Sequence, residues 1–245
     1  MSGKVVLVTG ASSGIGAACA EMLAKRGFRV YGSSRNPNFK PSGYQALQMD
    51  VTDDRSVDEA VAQVIREAGS IDALVNNAGC GLAGAVEDTA SIEALHQMDV
   101  NFMGPFRAAR AILPGMRQRR SGVIVNVSSL GGLFGLPFQS FYSASKFAME
   151  GWTESLRFEV SPFGIRVVLI EPGDVKTGFT GQPRTPPRRP PITTASPSVW
   201  ASSKKKSSTG WRRNSSPGWY ATSWKVARKG RAIPPEQPSS ACHPF

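Results

Sequence analysis

A chain of 245 residues suits one large α/β domain, and 29 Lys+Arg against 18 Asp+Glu would by themselves suit a nucleic-acid binder. That excess is local: 12 of the bases and a single acid, Glu236, lie after Thr180, so the first 180 residues carry 17 of each and the neutral body argues against nucleic acid as a partner. Three cysteines (Cys19, Cys80, Cys242), no basic leader with a long apolar run and no stretch of 18 apolar residues exclude a disulfide scaffold and a membrane span; a soluble cytoplasmic protein with free thiols and no membrane partner is expected.

In chain order, short apolar runs alternate with amphipathic stretches. Strands are expected over "KVVLVTG" (4–10), "RVYGSS" (29–34), "ALQMD" (46–50), "ALVNNAG" (73–79), "GVIVNVSS" (122–129) and "IRVVLIEPG" (165–173). Their near-continuous Val, Ile and Leu content is what strands buried on both faces need. Between them, "SVDEAVAQVIREAG" (56–69), "FRAARAILPGMRQ" (106–118) and "FAMEGWTESLRFEV" (147–160) space apolar residues as helices do. This order predicts a Rossmann-type doubly wound parallel sheet with its ligand crevice at the carboxyl ends of the strands.

The first crevice motif is "TGASSGIG", Thr9 to Gly16, after the first strand and opening a helix. Gly10, Gly14 and Gly16, with Ser12, Ser13 and Ile15 between them, allow a tight turn and bring backbone N–H groups to a pyrophosphate at the helix N-terminus. Three residues between Gly10 and Gly14 depart from the usual dinucleotide fingerprint. With "NNAG" (76–79), Asn101, "SS" (128–129), "YSASK" (142–146) and "PG" (172–173), the motif closely resembles the classical short-chain dehydrogenases/reductases, in the family's order from residue 4 to about 180. "FYSASKFAMEG" and "EPGDVKTGF" look most like the branch acting on steroids, retinoids and similar apolar carbonyls and alcohols.

The residues support a chemistry of their own. Tyr142 and Lys146 are four apart in a helical stretch and project from one face. A free phenol ionises near pH ~10, and a neighbouring ammonium is expected to lower that, making Tyr142 a general acid in carbonyl reduction and a general base in alcohol oxidation. Ser129, at the end of the fifth strand, is placed to hold the substrate oxygen beside the phenol. The resemblance implies that Asn101 completes a catalytic tetrad by holding a water linked to Lys146. Taken singly, Ser129 reads more readily as a strand-end cap and Asn101 as a helix-kink residue; taken with Tyr142 and Lys146, all four falling in the family's register, they do not. His96 and His243 show no metal-ligand spacing, so no metal is expected.

Cofactor choice is read after the second strand, where an acidic residue would select NAD(H). Ser34 and Arg35 stand there instead, a hydroxyl and a guanidinium suited to a 2′-phosphate, so NADP(H) is the expected cofactor and NAD(H) the second choice. The resemblance implies that Asp50 and Val51 meet the adenine and that Asn76, Ala78 and Gly79 line the adenosine ribose side. It likewise implies cofactor contacts from Tyr142, Lys146, Pro172, Gly173, Val175 and Thr177, and a homodimer. The run "LGGLFGLPFQSF" (130–141) serves equally as a pocket wall for an apolar ketone or alcohol or as core packing. A non-catalytic NADP(H)-binding protein is the competing reading, because a fold does not establish turnover.

The chain divides into a catalytic domain over 1–180 and a tail over 181–245 that holds 11 of 18 prolines and four of five tryptophans. No run in the tail has the Val/Ile/Leu content of the seventh strand the family implies, so the sheet is expected to lack its last edge strand and the tail to be mostly disordered. A shifted reading frame in the gene is the leading explanation. A proline-rich ligand segment ("PPRRPP") and a basic nucleic-acid tail are the alternatives, which translation of codons 170 to 245 in the other frames separates.

Overall fold

The computed structural model describes residues 3–173. Val175, Thr177, Cys242, His243, the 181–245 segment and the implied seventh strand lie outside these residues.

The described elements are β1 (Val5–Val8), α1 (Gly14–Lys25), β2 (Arg29–Ser34), β3 (Gln45–Gln48), α2 (Asp54–Ala68), β4 (Ala73–Asn76), α3 (Ser91–Met98), α4 (Gly104–Arg119), β5 (Gly122–Val127), α5 (Ser140–Val160) and β6 (Ile165–Ile170). All six expected strands are present, in one sheet of order β3-β2-β1-β4-β5-β6. Every pairing is parallel, from Val6 opposite Val30 on one side of β1 to Ile124 opposite Val167 near the edge. Strand order reverses between β1 and β4, which opens a crevice above their carboxyl ends.

Period-2 alternation divides the core between the two faces of the sheet. Val5 and Leu7 point into a cluster with Val57, Val61 and Val64 of α2, Ala108, Ile112 and Met116 of α4, and Leu156 and Val160 of α5. Val6 and Val8 point the other way, toward Ala20 of α1 with Val30, Val75 and Val127. Among the described residues β3 and β6 are the two edges of the sheet, β6 being the one beside the site. Its Ile165 and Val167 are buried, whereas Val168 and Ile170 are exposed on the opposite face.

Helix ends show where the fold spends its caps. Asp53 caps α2 by accepting from the N–H groups of Arg55 at 2.9 Å and Ser56 at 3.3 Å. Ser13, at the corresponding position of α1, makes no side-chain cap bond, leaving the N–H groups of that first turn directed at the crevice. Between α3 and α4 the chain widens into a π-helical turn over Asp99–Met103. Arg107 braces that turn: its guanidinium bonds Asp99 at 2.8 Å, Asp54 at 3.2 Å and the Val51 carbonyl at 3.1 Å.

A buried polar chain joins β4, β5 and α5. The Asn76 amide donates to Asn126 Oδ1 at 2.9 Å, the Asn126 amide to Thr153 Oγ1 at 2.8 Å, and the Thr153 hydroxyl to the Met149 carbonyl at 2.6 Å. All three residues are at most 1% exposed, so no water replaces a lost partner cheaply. Asn126→Ala is therefore expected to cost about 1–3 kcal/mol, read as a lower urea midpoint at unchanged slope.

Candidate active site

The glycine loop is built by close approach. Gly10 has φ +65°, and a Cβ there would lie 2.7 Å from the Ala78 Cα, so only glycine lets β1 and the segment after β4 converge. A Cβ on Gly16 would run into the Gly10 carbonyl and the Asn77 amide. The loop is pinned from β4: Thr9 Oγ1 accepts from the N–H groups of Asn77 at 3.0 Å and Ala78 at 2.9 Å. The Asn77 amide returns the contact, donating to the carbonyls of Thr9 and Gly10, both at 3.0 Å. Ser12, Ser13 and Gly14 are exposed at the open side of this turn, with Ile15 half-buried behind them. A backbone cradle that a Cβ would fill, beside an uncapped helix start, fits the pyrophosphate of a dinucleotide.

At the end of β2, Ser34 is buried and its Oγ accepts from the Asn36 N–H at 3.1 Å, while Arg35 is exposed. Asp50 Oδ1 accepts from the Thr52 N–H at 2.9 Å and the Thr52 hydroxyl at 2.7 Å. Burial alone would push the Asp50 carboxyl up; the Thr52 bonds, with Arg35 and His96 in electrostatic reach, outweigh it and hold the carboxyl below its ordinary range. Val51 is buried against the start of α4, where a Cβ on Gly104 would approach its side chain to 2.9 Å. Ala78 and Gly79 stand at the crevice, but Asn76 departs from its expected place. Its amide is committed to Asn126 and, at 3.3 Å, to the Pro105 carbonyl, so it serves the core.

The four expected catalytic residues converge. Ser129, two residues past the end of β5, accepts from the Gly131 N–H at 3.1 Å and hydrogen-bonds the Tyr142 phenol. Lys146, one turn after Tyr142 on α5, is 5% exposed; its Nζ donates to the Val127 carbonyl at 2.9 Å and lies 5.9 Å from the Tyr142 ring centroid. Asn101, in the π-helical turn, is wholly buried. Its Oδ1 accepts from the Cys80 N–H at 2.8 Å, and its Nδ2 donates to the Cys80 carbonyl at 3.0 Å and to Ser145 Oγ at 3.1 Å. Ser145 in turn donates to the Tyr142 carbonyl at 2.7 Å, tying Asn101 to the helix that carries the phenol. Pro172 and Gly173 run beside this group, the Leu130 N–H donating to the Pro172 carbonyl at 3.2 Å.

Burial sets the charge states. It raises the Tyr142 phenol above its ordinary value, and the Ser129 hydrogen bond offsets only part of that. The phenol is thus raised, where a neighbouring ammonium had been expected to lower it, because removal of the ring from water outweighs the Ser129 bond. Lys146 is lowered to about 8, by burial, against the opposing pull of Cys80 and Glu150.

Tyr44, Thr9 and Asn77 were not singled out as site residues from sequence. Thr9 and Asn77 sit inside quoted motifs, and their polarity between buried neighbours was the available signal. Tyr44 had none: its hydroxyl reaches the Ala11 carbonyl at 2.7 Å from 33 residues away, and its ring covers Gly32.

A doubly wound parallel sheet with a glycine cradle at its switch point, and a Ser–Tyr–Lys group at the end of β5, defines a Rossmann-type oxidoreductase. The chain belongs to the short-chain dehydrogenase family, whose model matches residues 4–187. It is 49% identical over 180 residues to a 3-ketodihydrosphingosine reductase of Bacteroides thetaiotaomicron, covering 74% of this chain and 67% of that one. It is 41% identical over 195 residues to human 17-beta-hydroxysteroid dehydrogenase type 1, covering 73% and 59% respectively. The chain thus spans three fifths to two thirds of the length of these curated relatives. Among solved structures, a short-chain dehydrogenase from Streptomyces avermitilis superposes with TM-score 0.71 at 41% identity, over 76% of this chain and 73% of that one. A single-substitution variant of actinorhodin polyketide ketoreductase, solved with NADPH, gives TM-score 0.70 at 35% identity, over 72% and 74%.

The buried lysine makes stability depend on pH in a definite direction. Below about 8 both folded and unfolded chains carry the charge, and the folded state bears its desolvation cost. Between about 8 and the unfolded value of 10.5 the unfolded chain binds the extra proton, so stability contributed at this position rises with pH. Denaturant midpoints from pH 7.5 to 9.5 should therefore climb in the parent relative to Lys146→Met. Parallel curves would place the ammonium in water.

Proposed function

We propose that the chain transfers a hydride between NADP(H) and the carbonyl or alcohol carbon of an apolar small molecule, a ketone of steroid-, retinoid- or long-chain type, with Tyr142 as proton donor and acceptor. The observation that carries this reading is the Ser129–Tyr142 hydrogen bond with Lys146 buried alongside. Bound NADP(H) supplies or takes up the hydride. The loop from Gly10 to Gly16 would hold its pyrophosphate, Ser34 and Arg35 its 2′-phosphate, and Asp50 and Val51 its adenine.

The chain's own residues do the rest. Ser129 donates to the substrate oxygen and fixes it beside the phenol. Burial keeps Tyr142 protonated at neutral pH, so it presents a proton where a carbonyl oxygen gains electron density. The Lys146 ammonium stabilises the phenolate left behind. Asn101 holds the Cys80 peptide and α5 in register, so that Tyr142 and Lys146 face the crevice together.

An apolar substrate is supported by the segment after Ser129. Leu130, Leu133 and Phe134 are 40%, 41% and 39% exposed, which favours a pocket wall over core packing. Across from them the Gly84 N–H donates to the Phe138 carbonyl at 2.8 Å, closing the two loops on one another. The similarity to a 3-ketodihydrosphingosine reductase and a 17-beta-hydroxysteroid dehydrogenase supports that substrate class. Exposed Phe147 and Phe158 on α5 support a homodimer, which sedimentation would read as twice the chain mass.

Tyr142→Phe should abolish carbonyl reduction while NADPH affinity, read by cofactor fluorescence, stays within about twofold. Turnover at the parent rate would remove the phenol from the chemistry. Ser34→Asp with Arg35→Ala should weaken NADPH by about tenfold or more and leave NADH nearly unchanged. Equal weakening of both would end the argument for a 2′-phosphate site.

A further inference from the structure

Tyr44 ends the loop that follows β2, and its side chain meets two loops at once. Its hydroxyl donates to the Ala11 carbonyl at 2.7 Å, while the Ala11 N–H donates to the Ser33 carbonyl at 2.8 Å. Ala11 is wholly buried and is thereby held by both of its backbone polar groups, directly before Ser12, Ser13 and Gly14. The Tyr44 ring lies against Gly32, where a Cβ would run into it and would stand 2.8 Å from the Ala11 Cβ.

The same ring meets Phe39, with centroids 6.2 Å apart and planes tilted by 51°. Phe39 is half-buried in a stretch otherwise exposed from Arg35 to Lys40. That stretch folds on itself: the Asn36 N–H donates to Ser34 Oγ at 3.1 Å, the Asn38 N–H to Asn36 Oδ1 at 2.9 Å and the Phe39 N–H to the Asn36 carbonyl at 3.1 Å. A loop closed by its own turns moves as a unit, and the Phe39–Tyr44 contact seats that unit, with Arg35 on it, against the fold.

We propose that Tyr44 is a positioning residue for the dinucleotide with two separable roles: its hydroxyl sets the glycine loop for the pyrophosphate, and its ring sets the Arg35 loop for the 2′-phosphate. The inference rests on the cofactor assignment of the proposed function and not on its hydride-transfer step. A contact that holds a loop in its ligand-ready form before binding is read, when lost, as affinity. The pyrophosphate is common to NADPH and NADH, whereas the 2′-phosphate belongs to NADPH alone. Removal of the hydroxyl therefore weakens both cofactors alike, and removal of the ring weakens NADPH further.

The test titrates the full chain with NADPH and with NADH, read by cofactor fluorescence. Tyr44→Phe should raise both dissociation constants by about fivefold and leave their ratio unchanged. Tyr44→Leu should cost NADPH a further factor of about three or more, with NADH at its Tyr44→Phe value. Phe39→Ala reads the ring contact from its other side, on an exposed loop, and should weaken NADPH alone. Tyr31→Phe is the control for a structural effect: it loses a hydroxyl bond of the same kind, to Glu67 at 3.0 Å, on the opposite face of the sheet, and should leave both affinities within about twofold. Unchanged affinities in Tyr44→Phe, a loss confined to one cofactor, or an equal loss in Tyr31→Phe would overturn the role of the hydroxyl. Equal further losses of both cofactors in Tyr44→Leu, or of both in Phe39→Ala, would overturn the role of the ring. A parent chain that binds neither cofactor would overturn the cofactor assignment and this inference together, whereas the other outcomes leave that assignment standing.

Discussion

The site depends on one costly placement, a lysine ammonium taken out of water between α5 and the end of β5. Lys146 is 5% exposed, with the Val127 carbonyl as its hydrogen-bond acceptor at 2.9 Å. Desolvation of an amine is expensive, and the fold accepts it at the carboxyl edge of the sheet, where the chemistry of the family is carried out. Val127 closes β5 and Ser129 follows two residues on; Tyr142 and Lys146 come from successive turns of α5. Fixing the strand end against the helix therefore fixes all three side chains at once. The Asn76–Asn126–Thr153 chain and the Asn101–Ser145 contact make that fixation polar and directional, where apolar packing alone would allow the helix to slide.

The opposite end of the crevice is arranged by backbone. Gly10 and Gly16 remove side chains where two segments meet, and Thr9 and Asn77 supply the hydrogen bonds that a loop so short of side chains lacks. Arg107 connects the two ends, bonding the carbonyl of Val51 near the expected adenine position and the carboxylate of Asp99 at the start of the turn that carries Asn101.

Much of this was legible in the sequence because it is local. Near-continuous Val, Ile and Leu runs announced β1, β5 and β6, and the spacing of Tyr142 and Lys146 fixed a shared helix face whatever the rest of the chain does. What was not legible depends on partners far apart in sequence. Asn76 and Asn77 are adjacent and chemically identical, yet strand alternation sends one into the core and the other to the glycine loop. The upward shift of the Tyr142 phenol follows from depth of burial, which no motif encodes. The π-helical turn at Asn101 was legible only as the possibility of a helix-kink residue there, since one extra residue in a helical turn barely disturbs the apolar period.

The central claim is that a buried Lys146 ammonium supports proton transfer by Tyr142, and the pH dependence of ketone reduction by the whole chain with saturating NADPH tests it most directly. With Lys146 lowered to about 8, the rate should hold through neutrality and fall as pH rises through that value, while cofactor binding stays constant. A rate that stays level to pH ~10, where a free phenol first ionises, would contradict the account by showing that turnover does not require the lysine's charge.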